Sequence, residues 1–99
     1  MDVKYELLGL SFVWDDRKAV INSRKHDGVT FEEAATVFFD PLFRLVDASS
    51  HHETRDAAIG WSMSGYGLFV VHIETENEFI RIISARKLTN EERQSYEYS

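Results

Sequence analysis

The hydrophobic and polar positions of this chain change period once, from a helical first part to a strand-rich second part. Residues 12–14, Phe-Val-Trp, end a short apolar stretch and predict a first strand. Asp15 or Asp16 follows as an N-cap, so a helix is predicted from there to about His26. Asp27-Gly28 is expected to end it, because glycine readily takes the left-handed conformation that follows a helix.

A second helix is predicted directly afterwards. Thr30 and Glu33 have the spacing of a capping box, in which each side chain satisfies a backbone amide of the first turn. The apolar residues that follow have the i, i+3, i+4, i+7 spacing of one buried helix face: Phe31, Ala34, Ala35 and Phe38. The helix is expected to end at Asp40-Pro41, because the residue before a proline avoids the helical region.

The period then becomes two, which predicts strands. Four segments carry this pattern: FRLVD, AAIGWSMS, LFVVHIET and FIRIISA. Gly65–Gly67 form the predicted hairpin loop between the second and third segments, and Glu74–Glu78 form the turn between the third and fourth. The last two segments carry apolar residues on both faces, so we expect them at the centre of a sheet.

A last helix is predicted over LTNEERQSYEY, which opens with a capping box from Thr89 to Glu92. The predicted order is therefore β-α-α-β-β-β-β-α. Early helices and late antiparallel strands indicate an α+β fold, with helices packed on a mostly antiparallel meander sheet. The length of 99 residues fits a single domain over residues 1–99.

Composition narrows the possible functions. The chain has no cysteine, no recognisable secretory signal and no apolar run near the roughly 20 residues that span a bilayer. We therefore expect a cytoplasmic protein with no membrane partner. The formal net charge is −6, so binding to a polyanion requires a local basic surface. The bases gather at residues 17–26, at Arg81 and at residues 86–93.

The first basic cluster lies on the first predicted helix. Lys18, Asn22 and Lys25 are spaced i, i+4, i+7 and share one face, and His26 stands at the helix end. One interpretation is a surface that faces a phosphate. A solvated helix face explains the same spacing, and from spacing alone it is the simpler interpretation.

Two residues stand out in the predicted strands. His72 lies on the apolar parity of its strand, so it is either a core or edge histidine or an acid/base group, since an imidazole titrates near neutral pH. Arg81 lies in an apolar strand, where a guanidinium costs stability unless it is paired, exposed or used in binding. Its partner would be Glu53 or Asp56; the alternative is a fixed positive charge for an anionic substrate.

Arg86 and Lys87 end the last predicted strand, where the N-terminal dipole of the next helix adds positive potential suited to phosphate. A structural cap explains them equally well. His51 and His52 are adjacent and lack partners at ligand spacing, so we expect no metal site there. There is no P-loop, nucleophile elbow or dinucleotide fingerprint, so no cofactor is expected.

Taken together and in order, the motifs resemble those of the BrnT family of toxins from bacterial type II toxin–antitoxin pairs. The resemblance runs from about Phe12 to Tyr98. The motifs are F-x-W-D-x-x-K from Phe12, N-x-x-K-H from Asn22, V-x-F-E-E-A from Val29, Asp40-Pro41, E-x-R from Glu53, V-V-H from Val70, I-R-I-I-S-A-R-K from Ile80 and E-R-x-x-Y from Glu92.

The resemblance implies a RelE-like fold and metal-independent RNA cleavage that arrests growth. It implies a cognate BrnA-type antitoxin that covers the toxin in a hetero-oligomer and brings operator DNA to the pair. It also marks eight positions. Lys25, His26, Arg55, Arg81 and Arg86 would be phosphate clamps or proton carriers, and Glu53, His72 and Tyr96 would be orienting or acid/base groups.

Two features depart from the family pattern. Asp27 intervenes between His26 and Gly28, where the family usually runs Lys-His-Gly. The chain is also more acidic than expected of a ribonuclease, which predicts weak, salt-sensitive RNA binding. These features leave open a second hypothesis: a non-catalytic module that acts with the antitoxin as a transcriptional co-repressor.

Overall fold

The structure, a computed structural model, describes residues 1–98. The strands are β1 (Asp2–Leu7), β2 (Leu10–Asp15), β3 (Arg44–Asp47), β4 (Asp56–Trp61), β5 (Gly67–Glu74) and β6 (Ile80–Lys87). The α-helices are α1 (Asp16–Lys25), α2 (Phe31–Thr36), which continues into a 3-10 turn at Val37–Phe39, and α3 (Asn90–Tyr98). Over residues 1–98, no helix has the length and apolar character needed to cross a bilayer.

One six-stranded sheet organises the chain, in the order β1-β2-β6-β5-β4-β3. Strands β3 to β6 form an antiparallel meander, and β1 pairs antiparallel with β2. Only the short β2–β6 contact is parallel, at Phe12↔Ile80 and Val13↔Arg81. The predicted α+β class and the mostly antiparallel meander are confirmed, and β5 and β6 lie at the centre as expected.

The predicted order of elements was wrong at its beginning, because the strand over residues 12–14 is the second strand. β1 precedes it and forms a hairpin with it through Leu8 and Gly9. Both turn residues have positive φ, 48° and 89°, as a tight two-residue hairpin turn requires. Leucine seldom adopts this conformation, so the turn carries no recognisable sequence signal.

The helix caps follow the sequence closely. Asp15 accepts a hydrogen bond from the Lys18 amide at 3.0 Å, and Thr30 accepts one from the Glu33 amide at 3.1 Å. The Glu33 carboxylate accepts a bond from Ser62 Oγ at 2.8 Å, and so ties α2 to the loop after β4. These contacts fix the start of both helices against the sheet.

Two turns differ in detail from the prediction. The loop between β4 and β5 comprises residues 62–66, not Gly65–Gly67, because Gly67 already pairs within β5. After α1, Asp27 takes the left-handed conformation with φ of 53°, and Gly28 follows with φ of 77°. The first residue after the helix cap, which was expected to be a left-handed glycine, is therefore Asp27.

The core lies between α1, α2 and one face of the sheet. It is built from buried side chains that include Phe12, Trp14, Phe31, Leu68, Val70, Ile82 and Ala85. Phe31 packs edge-on against Trp14, with 5.8 Å between ring centroids. The buried face predicted for α2 is confirmed at Phe31, Ala34 and Ala35.

Candidate active site

A β-bulge in β6 places three polar residues on one face of the sheet. Arg81, Ser84 and Arg86 could not share a face in a regular strand, since side chains alternate with a period of two. The register between β5 and β6 shifts at Val71/His72. As a result their partners on β5 are alternate residues of one face: Ile73, Val71 and Phe69, in that order. We call these six residues the bulge face.

Asn22 fixes α1 beside β6. Its side-chain amide donates to the Ala85 carbonyl and its Oδ1 accepts from the Ala85 amide, both at 2.9 Å. The amide also donates to the Val29 carbonyl at 3.3 Å. β2 pairs with β6 only at residues 80 and 81, so the side chain of Asn22 takes the place of a strand partner further along β6. Asn22 is 5% exposed, so its polar groups serve the fold.

This anchoring creates a basic cavity of about 180 Å³ between α1 and the bulge. Its polar lining comprises Lys18, Lys25, His26 and Ser84, together with Asn22. Among residues 1–98, no carboxylate forms an ion pair with Lys18, Lys25 or His26. Asp27 is exposed and is not part of the cavity lining. The cavity therefore offers uncompensated positive charge beside a hydroxyl group.

Arg81 is paired, but its partner is neither Glu53 nor Asp56, as the sequence suggested. Its guanidinium donates to both carboxylate oxygens of Asp2, at 3.2 and 2.7 Å. These hydrogen bonds lower the pKa of Asp2 below its ordinary value. Asp2 belongs to the strand that the sequence did not predict, so the partner could not be identified from the sequence.

Arg86 is held from two sides. Its guanidinium donates to both oxygens of Glu92, at 2.7 and 2.9 Å, and stacks over the Phe69 ring at 4.3 Å. Glu92 also accepts a bond from the Thr89 amide at 2.8 Å, and its own amide donates to Thr89 Oγ1 at 3.1 Å. The capping box of α3 is thus complete. Arg86, followed by the cap bonds, lowers the pKa of Glu92 to about 2.

Three other predicted site residues lie away from the basic cavity. His72 is 2% exposed, packs edge-on against Phe38 at 4.9 Å and has Nδ1 3.1 Å from the Val70 carbonyl. Glu53 and Arg55 form an ion pair with each other at 3.1 Å in the loop between β3 and β4. The geometry of His72 matches its interpretation as a core histidine.

Tyr96 links α3 to the corner before β3. Its hydroxyl donates to Asp40, whose carboxylate also accepts from the backbone amides of Trp61 and Leu42. Burial, followed by the bond to Asp40, raises the pKa of Tyr96 to about 12. Burial also raises the pKa of Asp40, but the bonds from Tyr96, Trp61 and Leu42 together outweigh burial and lower this pKa below its ordinary value.

The structure therefore brings together only part of the predicted set. Lys25 and His26 share the basic cavity, while Arg81 and Arg86 lie on the bulge face on either side of Ser84. Ser84 was not singled out from the sequence; its one signal was a polar residue in an apolar strand. Within residues 1–98, no three His, Cys, Asp or Glu side chains come close enough to hold a metal ion.

Comparison with protein families gives one clear finding. The family model described as "Ribonuclease toxin, BrnT, of type II toxin-antitoxin system" matches residues 14–92, which is more than half of the chain. The comparison with curated proteins gives no match.

Proposed function

The chain belongs to the BrnT family of ribonuclease toxins of type II toxin–antitoxin systems, and we propose that it cleaves RNA without a metal at the basic cavity and the adjoining bulge face. The observation that carries this proposal is the grouping of Lys18, Lys25, His26 and Ser84 around one opening. The two lysines have no carboxylate partner among residues 1–98, so their charge is available to a phosphate.

The reaction proposed is attack by the ribose 2′-oxygen on the adjacent phosphorus. The 2′-hydroxyl loses its proton, a P–O2′ bond forms, and the P–O5′ bond breaks with a proton delivered to the 5′-oxygen. Lys18 and Lys25 would stabilise the charge that develops on the phosphate, the effect that commonly contributes most to catalysis. We assign both proton transfers to His26: the neutral imidazole takes the proton of the 2′-hydroxyl, and the imidazolium so formed delivers it to the 5′-oxygen. Ser84 would orient the phosphate or the 2′-hydroxyl.

Arg81 and Arg86 would extend this site along the strand. Ser84 and Arg86 are two residues apart on one face, which separates their Cα atoms by roughly 6–7 Å, about one nucleotide step. Each arginine must exchange a carboxylate, Asp2 or Glu92, for a phosphate oxygen. Asp2 is an exposed partner that can be displaced, whereas Glu92 is tied into the cap of α3. We therefore expect Arg81 to engage RNA more readily than Arg86.

The type II family implies an antitoxin partner. We propose that it is of the BrnA type, that it neutralises the toxin in the bacterial cytoplasm, and that it carries the contact with operator DNA. The acidic exterior away from the basic cavity suits basic segments of this partner, because opposite charges accelerate association and favour the right orientation.

The test uses two neighbouring cations that differ in one respect. Lys25 lines the basic cavity and Arg24 does not, although both are exposed and side by side on α1. The purified chain is incubated with total bacterial RNA at low salt in EDTA. Lys25→Glu should lower the cleavage rate by about 100-fold or more, and Arg24→Glu should change it by no more than a few-fold.

Other results would redirect the proposal. Equal losses in both variants would indicate a general effect of charge on RNA binding and would remove the cavity from the mechanism. Intact RNA with the folded wild-type chain would favour the co-repressor function, which the paired state of Arg81 and Arg86 also suits. Cleavage that requires added magnesium would contradict metal independence. Arg86→Glu is a poor choice here, because it sets two carboxylates against each other at the cap of α3.

A further inference from the structure

The outer side of α1 exposes apolar residues that the fold does not use. Val20 is 51% exposed and Ile21 is 55% exposed. Together with Asp16 and Arg17 they line a shallow concavity of about 400 Å³. Single exposed apolar residues are ordinary, but two neighbours around a concavity mark a place where a partner can bury surface. We call Arg17, Val20 and Ile21 the α1 patch.

The α1 patch adjoins the basic cavity. Ile21 lines both the concavity and the cavity that contains Lys18, Lys25 and His26. A segment that buries Val20 and Ile21 would therefore lie beside the cavity opening. Such a segment would exclude RNA from Lys25 and His26 without any change in the fold.

We propose that the cognate antitoxin binds the α1 patch with an amphipathic acidic segment, whose apolar residues cover Val20 and Ile21 and whose carboxylates face the basic cavity. This inference rests on the proposed function, and it adds the place and the chemistry of neutralisation.

The charges around the patch define this occupant. Arg17, Lys18 and Lys25 have no carboxylate partner among the described residues, so a bound segment would need negative charge. The carboxylate in the lining, Asp16, accepts a bond from the Met1 ammonium at 3.0 Å and is partly compensated. RNA supplies negative charge but no aliphatic side chain for Val20 and Ile21. A peptide segment with adjoining apolar and acidic residues supplies both.

The experiment compares Val20→Glu with Met63→Glu. Val20 lines the concavity but not the basic cavity. Met63 is 62% exposed in the loop between β4 and β5. The two variants therefore make the same change of charge at exposed apolar positions. Affinity for the purified antitoxin encoded in the same operon is measured by calorimetry, and RNA cleavage is measured with and without it. Circular dichroism confirms that each variant is folded.

We expect Val20→Glu to weaken antitoxin binding by about 10-fold or more, the effect of disrupting a buried interface anchor, and Met63→Glu to leave it unchanged. Cleavage by Val20→Glu without antitoxin should equal that of the wild type, but it should persist when antitoxin is added. Arg17→Glu provides an independent check: its affinity loss should be larger at low salt than at high salt, as for an electrostatic contact.

Several results would overturn this inference. Equal antitoxin affinity in the wild type and Val20→Glu would place the antitoxin elsewhere. Cleavage lowered in Val20→Glu without antitoxin would make the patch part of the RNA site. A dimer of the chain alone that Val20→Glu dissociates would identify a second copy as the occupant. If instead the wild type cleaves no RNA but Val20→Glu still loses antitoxin affinity, the ribonuclease proposal fails and the docking surface stands.

Discussion

Carboxylates already pair with both arginines of the bulge face, so a phosphate would have to displace them. Arg81 in the free protein already makes two hydrogen bonds with Asp2, an exposed residue of the edge strand β1. A phosphate offers the same bidentate geometry to a guanidinium. If RNA binds at Arg81 as proposed, one anion would replace another, and the loss of the Asp2 pair would reduce the net binding free energy.

Replacing Asp2 should accordingly raise activity. Asp2→Asn removes the charge that holds Arg81, so we expect cleavage at low substrate concentration to rise by about two- to fivefold, the range for releasing one exposed ion pair. The thermal unfolding midpoint should change little, because an exposed pair contributes little to stability. The measurement is kcat/KM on a short RNA at two salt concentrations.

Glu6→Gln provides the matched control. Glu6 lies on the same strand but bonds Ser11 and not Arg81. Glu6→Gln therefore makes the same change in net charge without releasing Arg81. An equal rise in both variants would show that only the net charge matters. A fall in Asp2→Asn would show that Asp2 orients Arg81 for catalysis.

At the scale of elements, α3 is attached to the sheet through polar contacts. Glu92 bonds Arg86 of β6 at one end of the helix, and Tyr96 bonds Asp40 further along. The Trp61 and Tyr96 rings also pack edge-on, with 6.2 Å between centroids. These contacts indicate that Tyr96 positions α3. Its raised pKa disfavours the phenolate, so the hydroxyl is a poor general base near neutral pH.

Tyr96→Phe separates these two roles. The variant removes one hydrogen bond and leaves Asp40 with its two backbone donors, so we expect a loss of about 1 kcal/mol in unfolding free energy. RNA cleavage well below the unfolding temperature should stay close to the wild-type rate. A rate lowered by about 100-fold in a folded Tyr96→Phe protein would instead place the hydroxyl among the catalytic groups.

The elements that could be predicted are those with local signals. The helix starts could be predicted from their N-cap residues, Asp15, Thr30 and Thr89, because each cap bonds the amide only three positions further along. The hairpin of β1 was missed although Val3, Tyr5 and Leu7 alternate, since its Leu8-Gly9 turn lacks the residues that favour such turns. The bulge near Ser84 was missed for a different reason: the register depends on β5, not on the residues of β6 alone.

The same limit applies to the site. The spacing of Lys18 and Lys25 predicted a shared face, and the structure places both at the basic cavity. No local pattern indicated that Asn22 between them would bond Ala85, which lies 63 residues away. The partners of Arg81 and Arg86 were likewise not predictable, since each depends on how distant elements pack.

At the scale of the whole molecule, lowered carboxyl pKa values and the raised pKa of Tyr96 make the folded state less stable at acid and at alkaline pH. Among residues 1–98, the fold lowers the pKa of five carboxyl groups: Asp2, Asp15, Asp40, Asp47 and Glu92. Each binds fewer protons in the folded state, so its contribution is present above its ordinary pKa and disappears as the pH falls through the lowered one. Tyr96 has a raised pKa, so its contribution is present below about pH 10 and disappears toward about pH 12.

We therefore expect the thermal unfolding midpoint to decrease as the pH is lowered from about 4.5 to about 2. The contribution of Tyr96 should disappear as the pH is raised from about 10 to about 12. Calorimetry of the wild type, Glu92→Gln and Tyr96→Phe from pH 2 to pH 12 tests both expectations. Glu92→Gln should reduce only the acid decrease, because it removes one titrating carboxyl group. Tyr96→Phe should remove the alkaline decrease of Tyr96 and also reduce the part of the acid decrease that comes from Asp40, which loses the Tyr96 bond. An acid decrease in Glu92→Gln as large as in the wild type would mean that Arg86 does not hold Glu92 in solution. The cap of α3 would then rest on Thr89 alone, and Arg86 would be as free as Lys25 to meet RNA.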